Sequence, residues 1–172
     1  KFPNVIAISR VGVGTDAINI ASATEHNVKI FKTSDKPSVA VAELCISNMI
    51  SLLRHIYEMS NDLKRCIWNP IQGRDLRNCT VGIIGMGSIG KEVIKRLGPF
   101  GSKVIAYSRT WDEEFAASNH VERKTIEDVC TESDIITVHL PLTSETQGII
   151  SRDLIQKITK GGVFLNTSRA GV

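Results

Sequence analysis

Apolar residues fall into short unbroken runs separated by stretches with helical spacing. "VIAIS" (5–9) and "VKIFKT" (28–33) read as strands. Between them "DAINIASATEHN" (16–27) has helical spacing, with Asp16 as its N-cap. "SDKP" ends the second strand, and Ser38 opens a helix running to about Leu63. Its apolar positions, Val39, Val41, Leu44, Cys45, Met49, Ile50, Leu53 and Ile56, fall on nearly all sides. About 25 residues at 1.5 Å rise give a rod of roughly 38 Å. A helix apolar all round is buried in a large core or against another subunit. The polar stretch 65–78 reads as a linker. The pattern then restarts as "TVGIIG", a helix over 87–98, "KVIAYS", a helix over 124–132, "DIITVHL", a helix over 151–159 and "GVFLNTS".

Strand and helix in strict alternation predict right-handed βαβ units, and so a parallel sheet with helices on both faces. The runs are continuously apolar rather than alternating, as strands covered on both faces should be. The fold class expected is α/β, a doubly wound, Rossmann-like parallel sheet. It is preceded by a strand–helix–strand piece of something else.

Composition narrows the classes. At 42% hydrophobic and 23% charged, the 172 residues match a globular protein with one good core, or one domain plus part of another. The net charge of +3 comes from scattered Lys and Arg, with no basic block to serve a nucleic acid or an anionic membrane. Cys45, Cys66, Cys79 and Cys130 are far apart, with no CxxC pair and no His at zinc spacing, so reduced thiols in a cytoplasmic protein are expected and no metal site. The apolar run around Leu44 to Leu53 is broken by Ser47, Asn48 and Ser51 and is too short to span a bilayer. The chain opens almost on a strand and stops just after another, so it reads as a fragment.

The first chemistry lies in "TVGIIGMGSIGKEV". GxGxxG alone is a weak signal, but here it follows an apolar strand and opens a helix. Gly85 permits the tight turn, Gly87 lets backbone approach a pyrophosphate, and Gly90 lets helix and strand pack closely. The amides of Ser88 and Ile89 then face the phosphates from the positive end of the helix. A dinucleotide is the implied ligand. The tip of the next strand, in "KVIAYSRTWD", normally carries an acid that grips the adenine ribose. This tip offers Ser108, Arg109 and Thr110, and the first carboxylate is Asp112. Two readings stay open. The trio can receive a 2′-phosphate, or Arg109 points to solvent and Asp112 or Glu113 holds the ribose.

"ISRVGVGTDAIN", "AVAELCISNMISLLR", "TVGIIGMGSIGKEV", "DIITVHLPLTSETQGIIS" and "GGVFLNTSRAGV" occur in this order and spacing. Together they resemble the D-isomer-specific 2-hydroxyacid dehydrogenases, which include phosphoglycerate dehydrogenase and glyoxylate or hydroxypyruvate reductase. The resemblance implies a nucleotide-binding domain inserted into a smaller, flavodoxin-like substrate domain. Residues 1–36 would be the end of that domain's first segment, and 37–172 the NAD(P)-binding domain, incomplete at its C-terminus. The helix from Ser38 would lie in a homodimer interface built on Leu44, Met49 and Leu53 or their neighbours.

The resemblance also implies roles. Amides near Val13 and Gly14 would clamp a substrate carboxylate. Arg169 would be catalytic as well as substrate-binding, holding the carboxylate and polarising the carbonyl, work suited to a planar, permanently charged fork. Asn166, Thr167 and Ser168, with Leu140 and Pro141, would line the nicotinamide pocket at the carboxyl edge of the sheet. His139 is read as a strand-end residue whose backbone faces the cofactor, because the family's acid–base histidine and its glutamate lie beyond this chain. His26, His55 and His120 read as surface or packing residues. Ala170 replaces the family's usual second glycine. The strand tip is similar to that of NADP-using branches, so NADP preference or dual use of NAD and NADP is expected.

The function expected is hydride transfer between a nicotinamide cofactor and a D-2-hydroxy or 2-oxo acid, with D-3-phosphoglycerate as the leading substrate and glyoxylate or hydroxypyruvate as the alternative. These 172 residues alone would bind cofactor without turnover. The rival reading is a non-catalytic, corepressor-like dinucleotide sensor.

Overall fold

The computed structural model describes residues 4–12, 14–15, 17–33 and 37–172. The chain divides into two compact units, Lys1–Pro37 and Ser38–Val172. In the first, β1 (Ala7–Arg10) and β2 (Lys29–Lys32) pair in parallel and α1 (Ile20–Glu25) connects them. The expected cap, Asp16, lies outside the described residues. Asn19 caps α1, its side chain accepting the Ser22 N–H at 2.9 Å.

The second unit opens with α2 (Ser38–Leu53) and α3 (Ile56–Lys64). The sequence predicts one rod here; the structure has two helices bent by 67°. The break has a long-range cause. The Leu53 carbonyl, which a continuing helix would use, accepts the Arg74 N–H at 2.9 Å. Gly73 permits that approach, since a Cβ there would stand 2.5 Å from the Leu53 oxygen. His55 then turns the chain in the left-handed region, at φ 52°. Nothing local marks the site, because neither Gly nor Pro interrupts Arg54-His55.

The expectation that α2 is apolar on every side because a partner covers it also changes. Ala42, Cys45, Ile46, Met49 and Leu53 are buried in this unit's own core. Met49 and Leu53 are therefore already covered and cannot form a dimer seam. Leu44, Leu52, Ile56, Tyr57, Leu63 and Trp68 remain exposed. Among the described residues no single helix is long and apolar enough to cross a membrane.

Beyond a short 3-10 turn, Leu76–Asn78, the chain forms β3 (Thr80–Ile84), α4 (Ser88–Leu97), β4 (Lys103–Tyr107), α5 (Glu113–Ser118), β5 (Val121–Arg123), α6 (Ile126–Glu132), β6 (Ile135–Val138), α7 (Arg152–Gln156) and β7 (Val163–Asn166). Pattern reading places most of these but misses α5 and β5, and it starts α6 two residues early. The six residues of α5 and three of β5 are too short for periodicity to register. Asp112 caps α5, and Thr125 caps α6 in a capping box with Asp128.

The sheet is fully parallel, in the order β5-β4-β3-β6-β7. Side chains alternate between two cores, as the period of two requires. Val81, Ile83, Val104, Ala106 and Ile135 join residues of α2 and α4 on one face. Ile84, Ile105, Ile136 and Val138 join Val129 and Cys130 of α6 on the other. This is the doubly wound, Rossmann-like α/β architecture expected. Strand order reverses between β3 and β6, so a crevice opens at their carboxyl ends, where open α/β sheets take ligands.

Candidate functional site: a cleft at the strand ends

That crevice is a cleft of about 410 Å³. Gly85, Met86 and Gly87 floor it from the end of β3, Tyr107, Ser108, Arg109 and Thr110 from β4, and His139, Leu140 and Pro141 from β6. The glycine loop divides its work as its spacing implies. Gly85 sits at φ +102°. A Cβ on Gly90 would lie 2.1 Å from the Gly85 carbonyl oxygen, so only hydrogen lets α4 start this close to the loop. A Cβ on Gly87 would meet nothing within 4 Å, because that position faces the open cleft. The steric need for glycine at Gly90 is one of close packing, and the open approach at Gly87 is what a pyrophosphate would use. The cleft has the room and the open backbone that a dinucleotide needs.

The strand tip is resolved in a way that neither reading of it foresaw. Arg109 is largely exposed, and its guanidinium pairs with Glu145, on the segment after β6 that also lines the cleft. Asp112 is committed elsewhere. One carboxylate oxygen accepts the Phe115 N–H at 3.0 Å and the other pairs with Lys91. The Lys91 ammonium first, then the Phe115 N–H, holds the Asp112 carboxyl below its usual range. Glu113 accepts the Trp111 indole N–H at 3.1 Å. Met86, Lys91, Tyr107, Thr143, Glu145, Thr146 and Ile149 are lining residues that sequence reading does not propose as cofactor-binding, while Asp112, weighed there as a ribose holder, also lines the cleft. Lys91 was findable, standing one helical turn beyond Gly87 with its N–H on the Gly87 carbonyl at 2.9 Å. Glu145 carried no local signal.

The remaining predicted residues of the second unit are not among those that line the cleft. Ser88 and Ile89 form the first turn of α4, and Gly90 is buried beneath them. Asn166 ends β7 and organises the turn after it. Its carboxamide oxygen accepts the Ser168 N–H and hydroxyl at 2.9 and 2.7 Å, and its nitrogen donates to the Arg169 carbonyl at 2.9 Å. Arg169 Nη1 donates to the Ser168 carbonyl at 2.9 Å. Gly14 lies between β1 and α1 in the first unit, where Gly12 turns at φ +133° and donates to Thr33 Oγ1 at 3.0 Å. Val13 lies outside the described residues.

His139 is buried, and its ring joins two strand ends. Nε2 lies 3.0 Å from Thr137 Oγ1 and Nδ1 lies 3.5 Å from Thr167 Oγ1, which also contacts Cys45 Sγ of α2 at 3.5 Å. Burial pushes its pKa down to about 4, so the imidazole is neutral at physiological pH. Its backbone carbonyl lies against Gly85, 2.9 Å from where a Cβ would stand.

Comparison with known proteins agrees with this geometry. The D-isomer specific 2-hydroxyacid dehydrogenase NAD binding domain matches residues 46–172. The chain is 37% identical over 170 residues to a hydroxypyruvate reductase of Thermotoga maritima, covering 98% of this chain and 55% of that one. It is 37% identical over 175 residues to a D-3-phosphoglycerate dehydrogenase of Methanocaldococcus jannaschii, covering all of this chain and 33% of that one. An NAD-dependent formate dehydrogenase from Staphylococcus aureus, solved with NAD, superposes with a TM-score of 0.88 at 30% identity, covering 98% of this chain and 51% of that one. The chain thus spans between a third and about half of these relatives. With its glycine loop, switch-point cleft and parallel sheet, this chain belongs to the D-isomer specific 2-hydroxyacid dehydrogenase family through that family's NAD binding domain.

Proposed function

We propose that this chain is the cofactor-binding portion of an oxidoreductase that moves a hydride between a nicotinamide dinucleotide and a D-2-hydroxy or 2-oxo acid. The observation that carries the reading is the contrast between Gly90, where a side chain is sterically barred, and Gly87, where the backbone lies open to the cleft. The bound nicotinamide would supply the hydride. The chain's own residues bind and orient. Amides at Ser88 and Ile89 face the pyrophosphate from the start of α4. Leu140, Pro141, Asn166, Thr167 and Ser168 border the nicotinamide, and Arg169 holds the substrate carboxylate and polarises its carbonyl. Residues 1–36 are the end of a substrate-domain segment, with Val13 and Gly14 as its carboxylate clamp. D-3-phosphoglycerate remains the leading substrate and glyoxylate or hydroxypyruvate the alternative; a D-3-phosphoglycerate dehydrogenase and a hydroxypyruvate reductase are each 37% identical to this chain.

NADP use, alone or beside NAD, is part of the proposal. Ser108 and Thr110 offer hydroxyls and Arg109 a cation at the strand tip. The engagement of both Asp112 and Glu113 with other partners supports it, because either would have to share its carboxylate with those partners to take ribose hydroxyls. Exposed apolar residues on α2 and α3 support a homodimer, and four free thiols support a reducing, cytoplasmic setting.

The test is titration of the chain with NADPH and NADH at low and high salt. Binding of NADPH that weakens with salt and drops in Arg109→Ala is expected. Binding of neither dinucleotide refutes the reading as a whole. NADH binding that is tighter than NADPH and untouched by Arg109→Ala refutes the phosphate-reading tip alone.

A further inference from the structure

We propose that Glu145 sets the choice between the two nicotinamide dinucleotides by serving as a counter-ion to Arg109 across the cleft. The inference rests on the dinucleotide reading above and concerns a residue to which that reading gives no role. Arg109 follows β4 and Glu145 follows β6, yet their side chains pair over the cleft that both line. Four charged residues line that cleft, Lys91, Arg109, Asp112 and Glu145. Each cation is matched by one anion, Lys91 with Asp112 and Arg109 with Glu145.

This balance changes what the strand tip offers. A 2′-phosphate reaching for Arg109 must displace or share it with a carboxylate, and it meets like-charge repulsion from Glu145. Ribose hydroxyls face neither cost, because a carboxylate accepts hydrogen bonds from them. The acid missing from the tip of β4 is supplied from a neighbouring segment. The tip therefore discriminates weakly, and Glu145 holds it back from strong NADP selectivity. The effect is modest because the two side chains are 77% and 67% exposed, and exposed pairs contribute little.

The experiment measures NADPH and NADH affinities of the chain as wild type, Glu145→Gln, Arg109→Ala and the double variant. Glu145→Gln is expected to raise the NADPH-to-NADH affinity ratio about three- to fivefold at low salt, in line with exposed charge pairs. Glu145→Lys should push the ratio further in the same direction. With Arg109→Ala in place, the gain from Glu145→Gln should fall by more than half, the signature of coupling between the two residues. A ratio unmoved by both Glu145 variants, or moved towards NADH, overturns the proposal. So does a full-sized gain without Arg109. Any of these, with dinucleotide binding intact in the wild type, leaves the functional reading standing. Loss of binding in the wild type itself removes both.

Discussion

Thr137 of β6 and His139, just past its end, stand two residues apart, and the imidazole Nε2 lies 3.0 Å from the threonine hydroxyl in a buried setting. A contact to Thr167 on the other side ties β6 to the turn after β7, at the edge of the cleft. The ring is held neutral by burial, and that has a pH signature.

The folded pKa of His139 is pushed down to about 4, against an ordinary 6.5. Between these values the unfolded chain binds more protons than the folded one, so stability rises with pH across the window. Its contribution is complete above about pH 6.5 and is lost as pH falls through the folded value. The displacement corresponds to about 3 kcal/mol. Urea denaturation between pH 7 and 4 should show this loss, and His139→Gln should flatten the slope over that window while lowering stability at pH 7.

The two loop glycines separate folding from binding. Gly90→Ala forces a methyl onto the Gly85 carbonyl and should destabilise the unit by about 1–3 kcal/mol, as other overpacked substitutions do. Gly87→Ala meets no protein atom and should leave the melting temperature nearly unchanged while weakening dinucleotide binding at least tenfold. Thermal melts with and without NADH check both. Equal melting losses in the two variants would contradict the division of labour.

The apolar surface left on α2 and α3 should drive self-association. Leu44 and Leu63 are both more than half exposed, and Trp68 is 81% exposed. Sedimentation should show a dimer at micromolar concentration, and Leu44→Asp with Trp68→Ala should raise its dissociation constant at least tenfold. Met49→Ala should instead lower fold stability by about 2–5 kcal/mol, as truncations in a packed core do. A monodisperse wild-type monomer at high micromolar concentration would refute the dimer.

By themselves these 172 residues should not reduce a 2-oxo acid at a steady rate. General acid help is worth about 10²–10⁴-fold. His139, the buried histidine beside the cleft, is unprotonated above about pH 4 and makes a poor donor. Turnover of glyoxylate, hydroxypyruvate or a phosphorylated 2-oxo acid well above background would show that these residues hold a proton source of their own.

What the sequence determined is local or periodic. The apolar runs of β3, β4, β6 and β7 report burial on both faces directly, because every second residue enters one of two cores. The glycines at 85, 87 and 90 are legible because backbone sterics demand their spacing at a strand–helix turn. Tertiary structure decided what depends on residues far apart in the chain. The Arg74 N–H ends α2 by capturing the Leu53 carbonyl, and no window of sequence around Arg54 contains that bond. Met49 and Leu53 are claimed by their own core, which an all-round apolar pattern cannot distinguish from a subunit interface. At the cleft, Glu145 reaches Arg109 from 36 positions away, a pairing that no local window of sequence contains.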